Sequence, residues 1–338
     1  MKIFLFWKIA LCLVIIMHGG ELVITSVTLN AAVDKVHYID GFQLEKVNRV
    51  REVKSEPGGK GNNVAKVARL LGSKVISSGF LGGDTGTFVH HELLNRDIAS
   101  DPVWVSGSTR ETFNIIDVAN RTQTEILEPG PVISMDEWEA MKVKIAQCAA
   151  KSSVVCFSGS LPRGLPEYAY ADLITLAKDA GAKTVLDTSG SALSRGIESA
   201  PFLCKPNRDE LTQWAQVQLE TMESVVAAAR CMIQRGVQVV VVSLDKDGAI
   251  VVTKSSAWHV SPPAVQVVNT VGCGDALVGG VAHKLEAIEG AVSDSQIIEA
   301  IAWGTAVAAS NALFPIAGHV EPTKAKALFH DVKVTLLA

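Results

Sequence analysis

Four short β-rich runs constrain this chain more than any other feature. They lie at residues 75–80 (VISSGF), 153–157 (SVVCF), 183–187 (KTVLD) and 237–243 (VQVVVVS), and nearly all their residues are apolar. A strand with one wet face alternates apolar and polar residues, whereas a strand covered on both faces does not, so such runs belong in the middle of a parallel sheet. Parallel strands need long crossovers. Residues 62–71, 84–95, 134–150, 166–180 and 221–235 supply them, with apolar residues at helical spacing. Ser134 and Glu137 have the spacing of a capping box, and Gly72, Gly181 and Gly236 stand where three of these helices stop. The pattern predicts an α/β fold: a doubly wound, mainly parallel sheet flanked by helices, with right-handed crossovers.

Two stretches break the alternation. Residues 36–54 and 102–128 repeat with period two around a turn at Ala119-Asn120. They read as antiparallel strands, too few to stand alone, and so as a small β lid over one end of the sheet. Ala-rich helices are expected over 275–289 and 294–313, with a short last helix near 322–330. Without an internal repeat or low-complexity linker, residues 23–338 read as one domain carrying its lid.

Residues 1–22 (MKIFLFWKIALCLVIIMHGGEL) do not fit that grammar. The apolar run from Phe4 to Met17, broken by Lys8, is shorter than the roughly 20 residues a membrane span needs, and no small-x-small cleavage pattern follows. Gly19-Gly20-Glu21 can be encoded by a purine-rich, ribosome-binding-like stretch, and the strand-like VITSVTL begins at Val23. The segment is read as a mis-called extension, with a signal or anchor segment as the alternative.

Composition narrows the function. Apolar residues make up 48% and charged residues 20%, which excludes a disordered chain and a coiled coil. Lys plus Arg number 31 against 35 for Asp plus Glu, a net charge of −4, so neither a nucleic-acid partner nor a membrane surface is expected. The six cysteines are far apart with no C-x-x-C pair, which suits reduced thiols in the cytoplasm rather than a zinc site or a disulfide scaffold. The P-loop, G-x-G-x-x-G, G-x-S-x-G and H-E-x-x-H motifs do not occur.

Three clusters carry chemistry. Glu56-Pro57-Gly58-Gly59-Lys60-Gly61-Asn62-Asn63 runs straight into a helix, exposing backbone N–H groups to a ligand; its plain reading is a turn and a cap. Asn269-Thr270-Val271-Gly272-Cys273-Gly274-Asp275-Ala276 opens another helix whose bare start attracts phosphate oxygens. Asp275 could merely complement the helix dipole. A carboxylate in an anion-binding loop repels the anion, however, unless it accepts a proton from an attacking hydroxyl. Lys205-Pro206-Asn207-Arg208-Asp209-Glu210 follows a strand, and Asn207 and Glu210, three apart, could order the waters around Mg²⁺. A Pro-initiated, acid-capped helix is the equal alternative there.

Together these clusters make the chain resemble the ribokinase/PfkB carbohydrate kinases, most closely the branch of 1-phosphofructokinase, tagatose-6-phosphate kinase and the minor 6-phosphofructokinase. The likeness runs in order through TLNAAVD (28–34), EPGGKGNN (56–63), FLGGDTG (80–86), STR (108–110), TEILEPGP (124–131), FSGSLPRG (157–164), LDTSG (186–190), KPNRDE (205–210), SLDKDG (243–248) and NTVGCGDALVGG (269–280). It covers residues 23 to about 330.

The resemblance implies a ribokinase-like fold and transfer of the γ-phosphoryl of MgATP to a ketohexose monophosphate, fructose 1-phosphate or tagatose 6-phosphate. It assigns Asp275 as catalytic base, with the backbone N–H groups of Gly272, Cys273 and Gly274 as an anion hole. At a helix start Asp275 is expected to have a depressed pKa, which a loose phosphoryl-transfer transition state tolerates. Asp34, Gly59, Asn63 and Ser160 are implied at the sugar, Arg110 at its phosphate, and Arg49 on the lid as a second phosphate candidate. Lys205, Asn207, Glu210, Ser243 and Gly248 are implied at ATP, with Asn207 and Glu210 reaching Mg²⁺ through water. A lid of this kind admits a homodimer paired through it.

Departures are specific. Asp245 replaces a customary Gly near the ATP phosphates, Cys273 an Ala, Ala31 a Pro, and Asn269 the Asp that accompanies the ribokinases' monovalent-cation site. Two alternatives remain: a kinase of the same family for an unphosphorylated sugar or nucleoside, and an exported sugar-binding protein indifferent to MgATP, which residues 1–22 would suit.

Overall fold

The computed structural model describes residues 23–337. In chain order its strands are β1 (Val23–Thr28), β2 (Ala32–Ile39), β3 (Glu52–Gly58), β4 (Lys74–Leu81), β5 (Ala99–Ser100), β6 (Val103–Trp104), β7 (Arg110–Asp117), β8 (Thr122–Leu127), β9 (Val154–Ser158), β10 (Lys183–Asp187), β11 (Leu203–Cys204), β12 (Val239–Ser243), β13 (Ala249–Val252), β14 (Ala257–Ser261) and β15 (Lys333–Leu336). The helices are α1 (Lys60–Leu70), α2 (Gly83–Leu94), α3 (Met135–Ala149), α4 (Ala169–Asp179), α5 (Gly190–Glu198), α6 (Arg208–Ala215), α7 (Met222–Gln234), α8 (Cys273–Glu286), α9 (Asp294–Asn311) and α10 (Pro322–Phe329). The expected N-terminal extension lies outside the described residues.

The main sheet has the order β15-β14-β13-β12-β11-β10-β9-β1-β4-β5, with β6 joining β4. From β12 across to β5 the pairings are parallel, and β12 to β15 close one edge as antiparallel strands. The chain winds outward from β1 to β4 and β5, then restarts at β9 on the other side of β1. In such a sheet, ligands bind beyond the carboxyl ends of the strands near this reversal.

Central strands are apolar on both faces because both faces are covered. In β9, Val155 and Phe157 join one core with Trp138 of α3 and Tyr170 of α4, while Val154 and Cys156 join another with Ala65 of α1, Val281 of α8 and Ile301 of α9. All four β9 residues are fully buried, each apolar side chain contributing about 1.5–3 kcal/mol. Helix ends follow local chemistry. Ser134 and Glu137 form the expected capping box, and Gly72, Gly181 and Gly236 take left-handed φ angles of 103°, 88° and 102°.

The lid is the separate sheet β3-β2-β7-β8, and here the sequence reading needs correction. Two antiparallel hairpins, β2–β3 and β7–β8, meet through a parallel pairing of β2 with β7. β1 leads directly into β2, and β6, beside β4, leads into β7; parent strands that run parallel deliver parallel lid strands. The lid boundaries shift for the same reason. Val103 pairs with Phe80 of the main sheet, so the second hairpin starts at Arg110 rather than at 102. No described helix is long and apolar enough to cross a membrane.

Candidate active site

A cavity of about 880 Å³ opens where the carboxyl ends of β10, β11 and β12 face the lid and the N-termini of α1 and α8. Asp275, in the first turn of α8, is 6% exposed there. Asn63 of α1 donates from Nδ2 to Asp275 Oδ2 at 2.8 Å. Burial raises the Asp275 pKa, with the negative charge of Asp187 adding to it, up to about 6 from an ordinary 3.8. The depressed value expected at a helix start is therefore corrected: desolvation outweighs the attraction of Lys60, Asn63 and Lys205.

Gly272 caps α8 with a left-handed φ of 80°. The N–H of Cys273 donates to Thr270 O at 3.2 Å, so of the three N–H groups expected as phosphate donors this one is already engaged in this conformation. A Cβ on Gly274 would lie 3.3 Å from Lys205 Nζ, which places an ammonium directly above the bare start of the helix. Burial raises the pKa of the Cys273 thiol.

Two groups here were left without a role by the sequence reading. Asp187, at the end of β10 and 1% exposed, receives Lys205 Nζ at 3.2 Å and Lys60 Nζ at 3.6 Å. Burial alone would raise its pKa, but Lys205 and Lys60 carry it below the ordinary value. Lys60 is raised in turn, chiefly by Asp187. Both residues lie inside quoted stretches, EPGGKGNN and LDTSG; nothing local signals that three distant segments converge.

On the lid side, Asp34 of β2 accepts the Thr112 hydroxyl at 2.6 Å. A Cβ on Gly58 would overlap the Asp34 carboxyl, so the missing side chain makes room for it. Gly59, with φ of 95°, lines the cavity and caps α1. Arg110 donates from Nη1 to Glu128 O at 3.0 Å and from Nη2 to Asn30 O at 3.2 Å. Its Nε is buried without a partner among the described residues, and burial lowers its pKa.

Ser160 and Arg49 are not brought in. Ser160 sits beyond β9, accepts Asn30 Nδ2 at 3.1 Å, and does not line the cavity. Arg49 lies exposed in the long link between β2 and β3 and does not line the cavity. A hairpin link that long has no local geometry for the sequence to reveal.

Toward the carboxyl ends of β11 and β12, Asn207, Glu210, Ser243 and Gly248 all line the cavity with Lys205. Asn207 and Glu210 cap α6 reciprocally: Glu210 N donates to Asn207 Oδ1 at 2.7 Å, and Asn207 N to Glu210 Oε2 at 2.8 Å. The plain capping reading therefore holds, and it also fixes both side chains at the cavity wall. Among the described residues no group of three His, Cys, Asp or Glu could hold a metal by itself. One carboxylate and one carboxamide suit an ion that keeps its waters and takes its other ligands from phosphates, as Mg²⁺ does. Asp245 lines the same wall with a left-handed φ of 50°, a conformation that costs a non-glycine residue about 1 kcal/mol.

Comparison with known proteins gives the family. Residues 27–323 match the pfkB family carbohydrate kinase model. A tagatose-6-phosphate kinase of Staphylococcus epidermidis is 35% identical over 314 residues, spanning 92% of this chain and 99% of that protein. Phosphofructokinase-2 from Escherichia coli, in complex with fructose-6-phosphate, superposes with a TM-score of 0.83 at 26% identity, covering 91% of this chain and 98% of the other. A Thermotoga maritima structure named a possible 1-phosphofructokinase superposes with a TM-score of 0.82 at 27% identity, covering 94% and 100%.

Proposed function

The chain belongs to the pfkB family of carbohydrate kinases, and from that premise we propose that it transfers the γ-phosphoryl of ATP to a hydroxyl of a ketohexose monophosphate, forming the bisphosphate. Tagatose 6-phosphate and fructose 1-phosphate are the leading acceptors. The observation that carries this reading is one cavity holding Asp275 at a bare helix start, two lysines on Asp187, and Arg110 on the lid side with an unpartnered Nε.

Each residue has a task. The sugar hydroxyl gives its proton to Asp275 as its oxygen bonds to the γ-phosphorus. The bond from that phosphorus to the β-bridging oxygen breaks, and ADP leaves with the electron pair. Since the transition state is loose, positioning and charge stabilisation supply most of the rate. Gly272 and Gly274 N–H groups, Lys205 and Lys60 surround the place where negative charge collects. Asn63 orients the base, leaving Asp275 Oδ1 to face the acceptor. Asp34 holds sugar hydroxyls, and Arg110 meets the substrate phosphate with a fork suited to it. Asn207 and Glu210 would hold Mg²⁺ through water, and that ion neutralises phosphate charge when bound. The lid over the sugar excludes water as a competing acceptor.

ATP as donor supports a cytoplasmic location. The exposed Val53 of β3 and Ile126 of β8 support a homodimer paired through the lid. A coupled-ADP assay across fructose 1-phosphate, fructose 6-phosphate, tagatose 6-phosphate and unphosphorylated fructose tests the reading. Turnover of a phosphorylated ketohexose with little on fructose is expected; faster turnover of fructose would overturn the phosphate assignment.

A further inference from the structure

The ammonium of Lys66 has no part in the scheme above, yet it is among the most buried charges in the molecule. Lys66 lies on α1 one turn after Asn63 and is 5% exposed. Its Nζ donates to Ala317 O at 3.0 Å. Around it stand Glu56, Asp34, Arg96 and Asp275, and burial lowers its pKa against the pull of the carboxylates.

Ala317 sits in the link between α9 and α10, and that link presses on the start of α8. A Cβ on Gly272 would lie 2.9 Å from Ala317 Cβ, and a Cβ on Gly318 would lie 2.8 Å from Lys66 Cε. Other side chains tie the same two loops together. Asn269 Nδ2 donates to Pro315 O at 3.0 Å, Asn311 Nδ2 to Val271 O at 3.0 Å, and Gly318 N to Asn311 Oδ1 at 2.9 Å. Those three bonds are made by neutral groups. Lys66 alone adds a charge, although a buried ammonium is a costly way to satisfy one carbonyl. The cost is understandable where the charge is also useful, and Lys66 lines the wall of the reaction cavity.

We propose that Lys66 is a positioning residue, a tethered monovalent cation that clamps the 315–318 loop against Gly272 and so keeps the N–H pocket ahead of Asp275 in its phosphate-receiving shape. It acts through Ala317 and Gly272 and touches no substrate. The inference rests on the kinase reading for its effect on rate but not for its effect on the loop.

The test compares Lys66→Ala, Lys66→Met and Lys66→Arg in the full chain. Lys66→Ala should lower kcat about tenfold or more while the sugar-phosphate KM stays within about twofold, the signature of a transition-state defect. Lys66→Arg should restore most of the rate. Propylammonium should recover Lys66→Ala several-fold and leave Lys66→Met unchanged, because methionine fills the hole the amine would enter. Independently of activity, hydrogen exchange at the Gly318 amide should quicken in both Lys66→Ala and Lys66→Met. Lys66→Met keeps the volume of the side chain, so its exchange is measured on a folded protein even where Lys66→Ala unfolds. A sugar-phosphate KM that rises with kcat unchanged would mean direct substrate contact and overturn the proposal. Unaltered exchange at Gly318 would overturn it as well. A parent protein with no kinase activity but faster exchange in Lys66→Met would instead fault the kinase reading and leave the clamp standing.

Discussion

Replacing Asp275 with Asn should produce an enzyme that is nearly inactive and yet more stable than its parent at alkaline pH. The carboxyl is buried, and its pKa rises to about 6 from 3.8. Because the folded pKa lies above the unfolded one, the stability due to this group is full below the unfolded value and is lost as pH rises through about 6. The gap between 3.8 and about 6 is worth at most about 3 kcal/mol. Asparagine has the same shape, stays neutral and can still accept the Asn63 amide through its own oxygen. At pH near 8 the Asp275→Asn protein should therefore resist urea better by up to about 3 kcal/mol, with the advantage vanishing towards pH 4. The kinetic side has the opposite sign. Loss of a general base should lower kcat by about a hundredfold or more. In the parent, kcat/KM should fall below pH 6, reaching about a tenth of its plateau at pH 5, whereas a base with an ordinary carboxylate pKa would keep over about nine-tenths. Coupled-ADP kinetics across pH and urea unfolding at two pH values make both measurements. An active Asp275→Asn protein refutes the base; an inactive one that is no more stable at pH 8 refutes the desolvation argument and leaves the base intact.

Two further substitutions probe the ends of the cavity. Arg110→Ala should raise the sugar-phosphate KM at least about tenfold, since charge-assisted bonds to phosphate are lost, while the KM for ATP stays put. An unchanged sugar-phosphate KM would remove Arg110 from the phosphate site. Asp245→Gly relieves the left-handed backbone at φ of 50° and removes a carboxylate from the nucleotide wall. Unfolding measurements should show a gain of about 1 kcal/mol, together with a lower KM for ATP. A higher KM for ATP would show instead that the carboxylate helps to hold the metal–nucleotide.

Residues near in sequence could be read directly. The capping box of Ser134 and Glu137, the glycine stops, the bare helix starts at Gly59 and Gly272, and the doubly apolar runs of β9 and β12 each depend on neighbours within a few positions. Turn, cap and periodicity chemistry works at that range. Asp275, Asn63 and Lys205 share one cavity because their motifs follow a strand or open a helix and the doubly wound sheet gathers those ends, while Arg110 joins them from the start of lid strand β7.

Other features existed only in three dimensions. The parallel pairing of β2 with β7 follows from the directions of β1 and β6, strands that the lid's own period-two pattern says nothing about. Ser160 and Arg49 look the same in sequence whether they face the cavity or not. The Lys60–Asp187–Lys205 cluster, the elevated pKa of Asp275 and the Lys66–Ala317 bond join residues up to 251 positions apart. Residue types and their local spacing thus determined the strands and the helix starts, and the resemblance of the ordered motifs to a known family supplied the class of chemistry. Folding decided which charges meet, how dry they become and which loops they fasten, because desolvation and Coulomb attraction depend on distance in space and not on separation along the chain.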